Sequence, residues 1–147
     1  MLRILLLFCV GVLAACASGK SSGHTRTQSV LYLDEHTYLL LKSSDDPSYA
    51  FEPSNPVKVG SKDGGGPLNE RRFLNALLGP NGEKVFYFRA GSCCPFKTPN
   101  GLFDNSGMLD RYRISWTGAR DTLDVYINMY DEGDLFIPRG LTAKQRG

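Results

Sequence analysis

The sequence LDRYRISWTGARDTLDVYINMY, residues 109–130, decides the fold. Apolar side chains occupy alternate positions in each of its halves: Tyr112, Ile114 and Trp116, then Leu123, Val125, Ile127 and Met129. Alternation with a period of two is typical of a strand that buries one face. Turn residues around Gly118 separate the two halves. We therefore predict two antiparallel strands joined as a hairpin.

Residues on the N-terminal side of this hairpin supply further strands. Residues 84–90 read KVFYFRA, which has the β-branched and aromatic composition of a strand. The short apolar runs 30–33 and 37–42 are separated by three polar residues and predict a second hairpin. Residues 57–59 predict one more short strand. Segments rich in glycine and proline separate these elements and predict long loops.

One segment, residues 67–78, has the pattern of a helix. Pro67 suits the first helical position, where its missing N–H removes no intrahelical hydrogen bond. Apolar side chains recur at helical spacing further along: Phe73, Leu74, Leu77 and Leu78. The glycine and proline at positions 79 and 80 predict the end of this helix.

The sum of these elements is an α+β fold. We predict a single domain over residues 29–142, with an antiparallel sheet of about five strands, one packed helix and long loops. Residues 143–147 are polar and predict a frayed tail. The 17 Lys and Arg nearly balance the 15 Asp and Glu. Because no dense basic cluster is present, the charge pattern argues against a nucleic-acid partner.

The N-terminal residues have a different composition from the rest. Arg3 precedes the apolar run 4–15, which only Gly11 interrupts. This run is too short to cross a bilayer as a helix, which requires about 20 residues. It is typical of a secretory signal peptide. The run ends in LAAC, residues 13–16, which resembles the lipobox of bacterial lipoproteins, where cleavage precedes the cysteine and acyl chains such as palmitate are attached to it.

This resemblance implies a signal peptide over residues 1–15, a lipidated Cys16 and a tether over residues 16–28. The tether is small, polar and without periodicity, so we expect it to be flexible and His24 to be solvated. Ala17, where inner-membrane lipoproteins carry Asp, implies the outer membrane, with the domain facing the periplasm. The alternatives are an ordinary signal peptide cut at a nearby small residue, or an uncleaved anchor.

The predicted processing reduces the number of cysteines that are available as thiols. Cys9 leaves with the signal peptide and Cys16 carries lipid, so Cys93 and Cys94 remain. In the oxidising envelope we predict that they close a vicinal disulfide. Adjacent Cα atoms are about 3.8 Å apart, below the usual disulfide range of about 4.4–6.8 Å, and a strained bond is more reducible. The alternatives are thiol chemistry, capture of a soft metal, intermolecular disulfides and buried free cysteines.

We predict that the disulfide stiffens an exposed loop, residues 91–101, and that this loop is the functional site. It brings Lys97 and Asn100 close to the two cysteines, and loops on a sheet scaffold often carry binding sites. We predict no metal and no cofactor, because zinc requires four ligands and two thiolates supply only two. A cysteine nucleophile would require His36, which we interpret as a turn residue.

Weaker features have structural interpretations. The glycines at 64–66 predict a flexible loop rather than an anion site. The acidic residues 131–134 do not match a calcium loop and predict a solvated turn. Arg111, Arg113 and Lys97 could form a basic face for an anionic lipid or glycan, against the simpler interpretation of a solvated strand face. The aromatic residues predict sheet packing rather than a platform for sugars.

Several further motifs together carry a family resemblance. They read NPVKVG at 55–60, NER at 69–71, LNAL at 74–77, GPNG at 79–82, GSCCPF at 91–96 and YINMYD at 126–131. The pattern resembles a group of small bacterial envelope lipoproteins, some of which are named 2-dehydro-3-deoxyphosphooctonate aldolase. The resemblance implies an envelope location and supplies no catalytic residue and no cofactor.

The chain is too short for the activity in that name. The enzyme usually so named is a (β/α)8 barrel, which requires about 250 residues, or about 200 at the least. We predict instead a lipid-anchored envelope protein that acts as a binding or structural interaction module. Its expected partners are the membrane, through the lipid, and an envelope protein or a glycan. The alternative is a thiol/disulfide-active or soft-metal-binding protein that uses Cys93 and Cys94.

Overall fold

The computed structural model of the protein describes residues 23–147. The predicted signal peptide 1–15 and the predicted lipidation site Cys16 lie outside the described residues. The described chain forms one helix and eight strands. In chain order these are β1 Tyr32–Asp34, β2 Thr37–Tyr38, β3 Val57–Lys58, α1 Gly66–Ala76, β4 Leu77–Leu78, β5 Val85–Lys97, β6 Ser106–Trp116, β7 Leu123–Asn128 and β8 Thr142–Ala143.

The central sheet has four strands in the order β3–β7–β6–β5. Strands β6 and β7 pair antiparallel, with Asp110 opposite Ile127 and Ile114 opposite Leu123, which confirms the predicted hairpin. Strand β5 pairs antiparallel with β6 along its whole length. Strand β3 runs parallel to β7, with Val57 opposite Ile127. The class is roughly α+β as predicted, but the sheet is mixed, and the prediction of about five antiparallel strands was wrong.

The remaining strands form two small separate sheets. Strands β1 and β2 form one, in which Tyr32 lies opposite Tyr38, and β4 and β8 form the other. Alternation of apolar side chains identifies a strand and its buried face, but it does not identify the strand's partner. The error in the predicted sheet therefore concerns pairing rather than the existence of the strands.

Helix α1 begins and ends slightly earlier than predicted. Pro67 lies in its first turn, as expected. A Cβ atom on Gly66 would lie 2.6 Å from the Cβ of Met129, so the close packing of Met129 requires glycine at the first helical residue. The helix ends at Ala76 because Leu77 adopts an extended conformation and pairs with Ala143 of β8.

The two faces of the central sheet have different surroundings. On one face, Tyr112 and Ile114 of β6 and Val125 and Ile127 of β7 are buried, and α1 packs against them. Paired residues share a face, so Tyr87, opposite Ile114, also lies there, and its hydroxyl donates to Asn75 Oδ1 of α1. The other face carries no helix of the described chain. We call these the helix face and the open face.

Both ends of the described chain are attached to the domain, in contrast to the sequence prediction. The N–H of Thr25 donates to the carbonyl of Glu132, and the N–H groups of Thr27 and Gln28 donate to Asp134 Oδ1. These residues were assigned to a flexible tether from composition alone, which carries no information about long-range partners. At the other end, Ala143, the first residue of the predicted frayed tail, is buried in β8.

Residues 23–147 contain no helix that is both long and apolar enough to cross a membrane.

Candidate functional site

Cys93 and Cys94 form a vicinal disulfide, as predicted. Their Cα atoms are 3.7 Å apart. The segment around them differs from the prediction, because residues up to Lys97 belong to strand β5 rather than to a loop. Strand β5 is an edge strand, and its register with β6 is interrupted between Cys93 and Pro95. Cys94 has a positive φ of 56°, a conformation that few residues other than glycine adopt.

This irregularity explains why the sequence suggested a loop. Glycine and proline are poor strand formers, and they are tolerated in β5 because an edge strand accepts bulges and a proline that donates no hydrogen bond. A second interruption lies between Arg89 and Gly91. The disulfide is therefore carried by a bent edge strand that is fastened to β6 on one side.

A row of paired residues crosses the open face at the level of Cys93. Cys93 lies opposite Leu109 of β6. The antiparallel register places Leu109 opposite Asn128 of β7, one step from the pair Asp110 and Ile127. Asn128 in turn lies opposite Lys58 of β3. Because directly paired residues share a face, these four side chains follow one another across the sheet.

A cleft of about 680 Å³ lies above this row. Its size is in the range of small-molecule sites, which are about 300–1,000 Å³. The apolar part of its lining is Tyr49, Pro53, Pro56, Phe96, Leu109 and Phe136. The polar part includes Asn55, Lys58, Lys97, Asn128, Asp131 and Asp134. We call it the Lys58 cleft.

The two lysines of the cleft have different environments. Lys58 is half-buried and its Nζ donates to the carbonyl of Gly23. Burial lowers the pKa of Lys58, and the negative charge of Asp131 opposes this change. Lys97 is exposed at the rim, where its Nζ donates to the carbonyl of Asp104 at 3.1 Å and to Ser106 Oγ at 2.9 Å. The cleft thus combines apolar walls with two amines at different depths.

Asp131 connects the cleft to Asn100 and to the N-terminal segment. Its Oδ1 accepts hydrogen bonds from Thr98 Oγ1 at 2.5 Å and Asn100 Nδ2 at 2.8 Å. Its Oδ2 accepts hydrogen bonds from Asn128 Nδ2 and the N–H of Gly23. Burial alone would raise the pKa of Asp131, but these hydrogen bonds hold it below its ordinary value.

The prediction of a solvated acidic turn was therefore wrong. Asp131 is fully buried and Glu132 is nearly so. His24 is exposed, as expected, but its Nδ1 accepts a hydrogen bond from the N–H of Glu132. The missed signal is the pattern Asn-x-x-Asp at residues 128–131, in which Asn128 Oδ1 accepts the N–H groups of Tyr130 and Asp131 and closes a compact turn.

The helix face contains a second buried acid that the sequence analysis did not identify. Glu70 of α1 is fully buried, and its Oε2 accepts a hydrogen bond from the Tyr112 hydroxyl at 2.8 Å. Its Oε1 has no hydrogen-bond donor among the described residues. Burial first, and then the negative charge of the contacting Asp110, raise the pKa of Glu70 to about 8. The neutral acid is therefore the favoured form of Glu70 at pH 7.

Asp110, the acid beside Glu70, is held by contacts from β5. Arg89 of β5 donates to both of its oxygens, with Nε–Oδ2 3.0 Å and Nη2–Oδ1 2.7 Å. Ser92, which precedes the disulfide, donates its Oγ hydrogen to Asp110 Oδ1 at 3.0 Å. These contacts fasten β5 to β6 beside its first bulge. The arrangement positions the strand, and Glu70 itself is shielded from solvent.

The other sequence candidates lie apart from the cleft. His36 is exposed in the β1–β2 turn, where its Nε2 contacts Glu35 Oε1 at 2.7 Å. Arg111 and Arg113 lie on the open face, and both contact Asp124, at 3.8 and 3.2 Å. Among the described residues, no group of three or more His, Cys, Asp and Glu side chains is arranged to hold a metal ion.

Of the four residues predicted for the site, the structure brings Lys97 to the rim of the cleft and Cys93 to the end of its underlying row. Asn100 reaches the cleft indirectly, through Asp131. Lys58, Asn128 and the apolar wall were missed, because only the strand register brings them together. No protein-family model, no curated protein and no solved structure matches this chain.

Proposed function

We propose that this protein is a lipid-anchored binding module of the bacterial envelope, and that it binds its partner in the Lys58 cleft. The observation that carries the proposal is the cleft itself, about 680 Å³ in volume and lying on the open face of the sheet. Clefts of this size with apolar walls and a few convergent polar groups are the usual form of binding sites.

The chemistry of the lining indicates what would bind. Tyr49, Phe96 and Phe136 offer aromatic and apolar surface. The lining contains two lysines, Lys58 and Lys97, and two aspartates, Asp131 and Asp134, so its formal charges sum to zero. Such a lining favours a ligand with an apolar body and hydrogen-bonding groups over a highly charged one. A glycan or a peptide segment of an envelope protein has this character.

Photo-cross-linking in living cells tests the cleft. A photoreactive amino acid replaces Ser54, which is exposed and lines the cleft, and in a matched control it replaces Thr117, which is exposed and does not. We expect an adduct from position 54 alone. Lys97→Glu should remove it, while Lys84→Glu, on an exposed lysine outside the cleft, should not. Equal adducts from both positions, or none from position 54, would contradict the proposal.

The lipid anchor has its own test. Cells that incorporate radiolabelled palmitate should label the wild-type chain, and Cys16→Ala should abolish the label, because the lipobox cysteine is the acceptor. Cys9→Ala is the matched control and should keep it. Label that persists in Cys16→Ala would refute lipidation at this residue.

A second candidate function is thiol/disulfide activity. It is favoured by the position of Cys93 and Cys94 on an edge strand, half-exposed and at the end of the row beneath the cleft. Mass spectrometry of the chain after a series of mild reducing buffers measures the reversible gain of two hydrogens. If the disulfide resists strong reductant, and Cys93→Ser with Cys94→Ser leaves the cellular phenotype intact, this candidate fails.

A further inference from the structure

The turn between β5 and β6 exposes two large apolar side chains. This turn comprises residues 98–105, and we call it the hairpin tip. Leu102 is 72% exposed and Phe103 is 82% exposed, more than any other large apolar residue of the described chain. Exposing adjacent apolar side chains to water at a loop end is unfavourable in free energy, and such side chains usually mark a contact with a partner or a lipid surface.

The hairpin tip lies next to the point where the described chain begins. Asp131 binds the N–H of Gly23 with one oxygen and Asn100 of the tip with the other. A Cβ atom on Gly23 would lie 3.7 Å from Cγ of Pro99. Leu102 and His24 also line one shallow depression. The hairpin tip therefore lies beside Gly23, where the described chain begins.

The length of chain before Gly23 limits how far the tip can be from the anchor. Gly23 follows Cys16 by seven positions. Even fully extended, a segment of this length spans at most roughly 25 Å. The end of the domain that carries Leu102 and Phe103 therefore lies within reach of whatever surface holds Cys16.

The charges near the hairpin tip are compatible with an apolar contact. Lys97 contacts the Asp104 carboxylate at 3.7 Å, so the two charges nearest the tip compensate each other. Lys97 also bridges the base of the tip, since its Nζ donates to the carbonyl of Asp104 and to Ser106 Oγ. A tip whose backbone is already held by these hydrogen bonds loses less conformational freedom when its apolar side chains enter a surface.

We propose that Leu102 and Phe103 insert into the lipid surface that holds Cys16, as a second membrane contact beside the acyl anchor. This inference rests on the lipid anchor proposed above. One anchoring point leaves a domain free to rotate, whereas an anchor together with an inserted tip fixes its orientation on the membrane. Aromatic and aliphatic side chains at the headgroup boundary are favourable because they bury apolar surface there.

Tryptophan fluorescence in vesicles tests the proposal with the full acylated chain. Trp116 is the single tryptophan, so Trp116→Phe gives a silent background. Phe103→Trp reports on the tip. Phe86→Trp is the matched control, because Phe86 is an exposed phenylalanine at the other end of β5. The ten residue steps of strand from Phe86 to Phe96 place the control about 30 Å from the tip.

The protein is reconstituted into phosphatidylethanolamine–phosphatidylglycerol vesicles with brominated acyl chains. We expect the emission of the Phe103→Trp variant to shift to shorter wavelength and to be strongly quenched by bromine, with little change for the Phe86→Trp variant. Adding Leu102→Ser to the Phe103→Trp chain should weaken the quenching. Equal quenching at both positions would overturn the proposal, and so would a blue shift at position 103 without quenching, which indicates a protein partner or a second copy.

Mass spectrometry of the same sample separates the two proposals. If Cys16 carries acyl chains and the Phe103→Trp variant is not quenched, the tip proposal fails and the lipid anchor stands. If Cys16 carries no acyl chain, the anchor fails and the tip proposal falls with it.

Discussion

Two buried carboxyl groups, one on each side of the central sheet, have opposite protonation preferences. Asp131 accepts four hydrogen bonds, from Thr98, Asn100, Asn128 and the N–H of Gly23. Glu70 accepts one, from Tyr112, and it contacts the negative Asp110. The pKa of Asp131 is lowered in spite of burial, and the pKa of Glu70 is raised by burial and by that neighbour.

The difference shows that burial alone does not decide the charge of an acid. Both side chains are fully buried. What separates them is the supply of donors: the loop and turn around Asp131 provide amide and hydroxyl hydrogens, whereas Glu70 receives one hydroxyl hydrogen and lies beside a second carboxylate. Asp131 therefore joins three segments as an anion, and Glu70 fills space in the core as a neutral acid.

The largest predicted effect is the change in the free energy of unfolding with pH that Glu70 causes. Its folded pKa, about 8, exceeds the unfolded value of about 4.3. The folded state therefore binds more protons between these pH values, so stability is highest below about pH 4.3, as far as this group is concerned, and falls as pH rises towards 8. The expected loss is on the order of 4 kcal/mol. Urea unfolding at a series of pH values measures it.

Glu70→Gln removes this dependence and tests its origin. The amide can accept from Tyr112 as the acid does, and it carries no charge that Asp110 would repel, so stability near pH 5 should be almost unchanged. Between pH 5 and 8 the curve should become flat. If Glu70→Gln unfolds with the same pH dependence as the wild-type chain, the raised pKa of Glu70 is not the cause of that dependence.

Asp131→Ala should have the next largest effect. It leaves the side chains of Thr98, Asn100 and Asn128 without their acceptor, at a cost of about 3 kcal/mol. The contribution of Asp131 to stability depends on pH with the opposite sign to that of Glu70. The stability that Asp131 contributes is present above its unfolded pKa of about 3.9 and is lost as pH falls through its lowered folded pKa.

The matched control for this substitution is Asp121→Ala, on the exposed β6–β7 turn. Urea unfolding at pH 7 should show a change within about 0.5 kcal/mol for the control. If both alanine variants unfold at the same urea concentration, Asp131 does not join the segments as described.

Much of the fold could be predicted, because strands and helices leave local patterns. The alternation around Tyr112 and Ile114 identified the helix face, and the spacing of Phe73 and Leu74 identified α1. The parallel pairing of β3 could not be predicted, since Val57 and Lys58 carry no signal for their partner. Leu77 shows the same limit, because pairing with Ala143 overrides a helical spacing.

The candidate site was predicted less completely. Cys93 and Cys94 were identified from chemistry alone, because adjacent cysteines have few interpretations. Lys58 and Asn128 are 70 positions apart in sequence, and only the strand register brings them into one cleft. The burial of Glu70 could not be predicted, since helical periodicity alone could not show that the Tyr112 hydroxyl would reach it.

The smallest effect is expected from the disulfide, which lies on the strand between the two acids. Replacing Cys93 and Cys94 by Ser opens a ring of two residues, so little chain entropy is involved and the stability should change by about 1 kcal/mol or less. The loss is partly offset, because without the bond the residue at position 94 can leave the positive φ of Cys94.

The contacts of Asp110 with Arg89 and Ser92 do not involve sulfur. The pH dependence set by Glu70 should therefore persist in the double serine variant, measured by urea unfolding at pH 5 and pH 8. If it disappears, the bend that the disulfide imposes on β5 holds the acid pair together, and the two sides of the sheet are coupled through that strand.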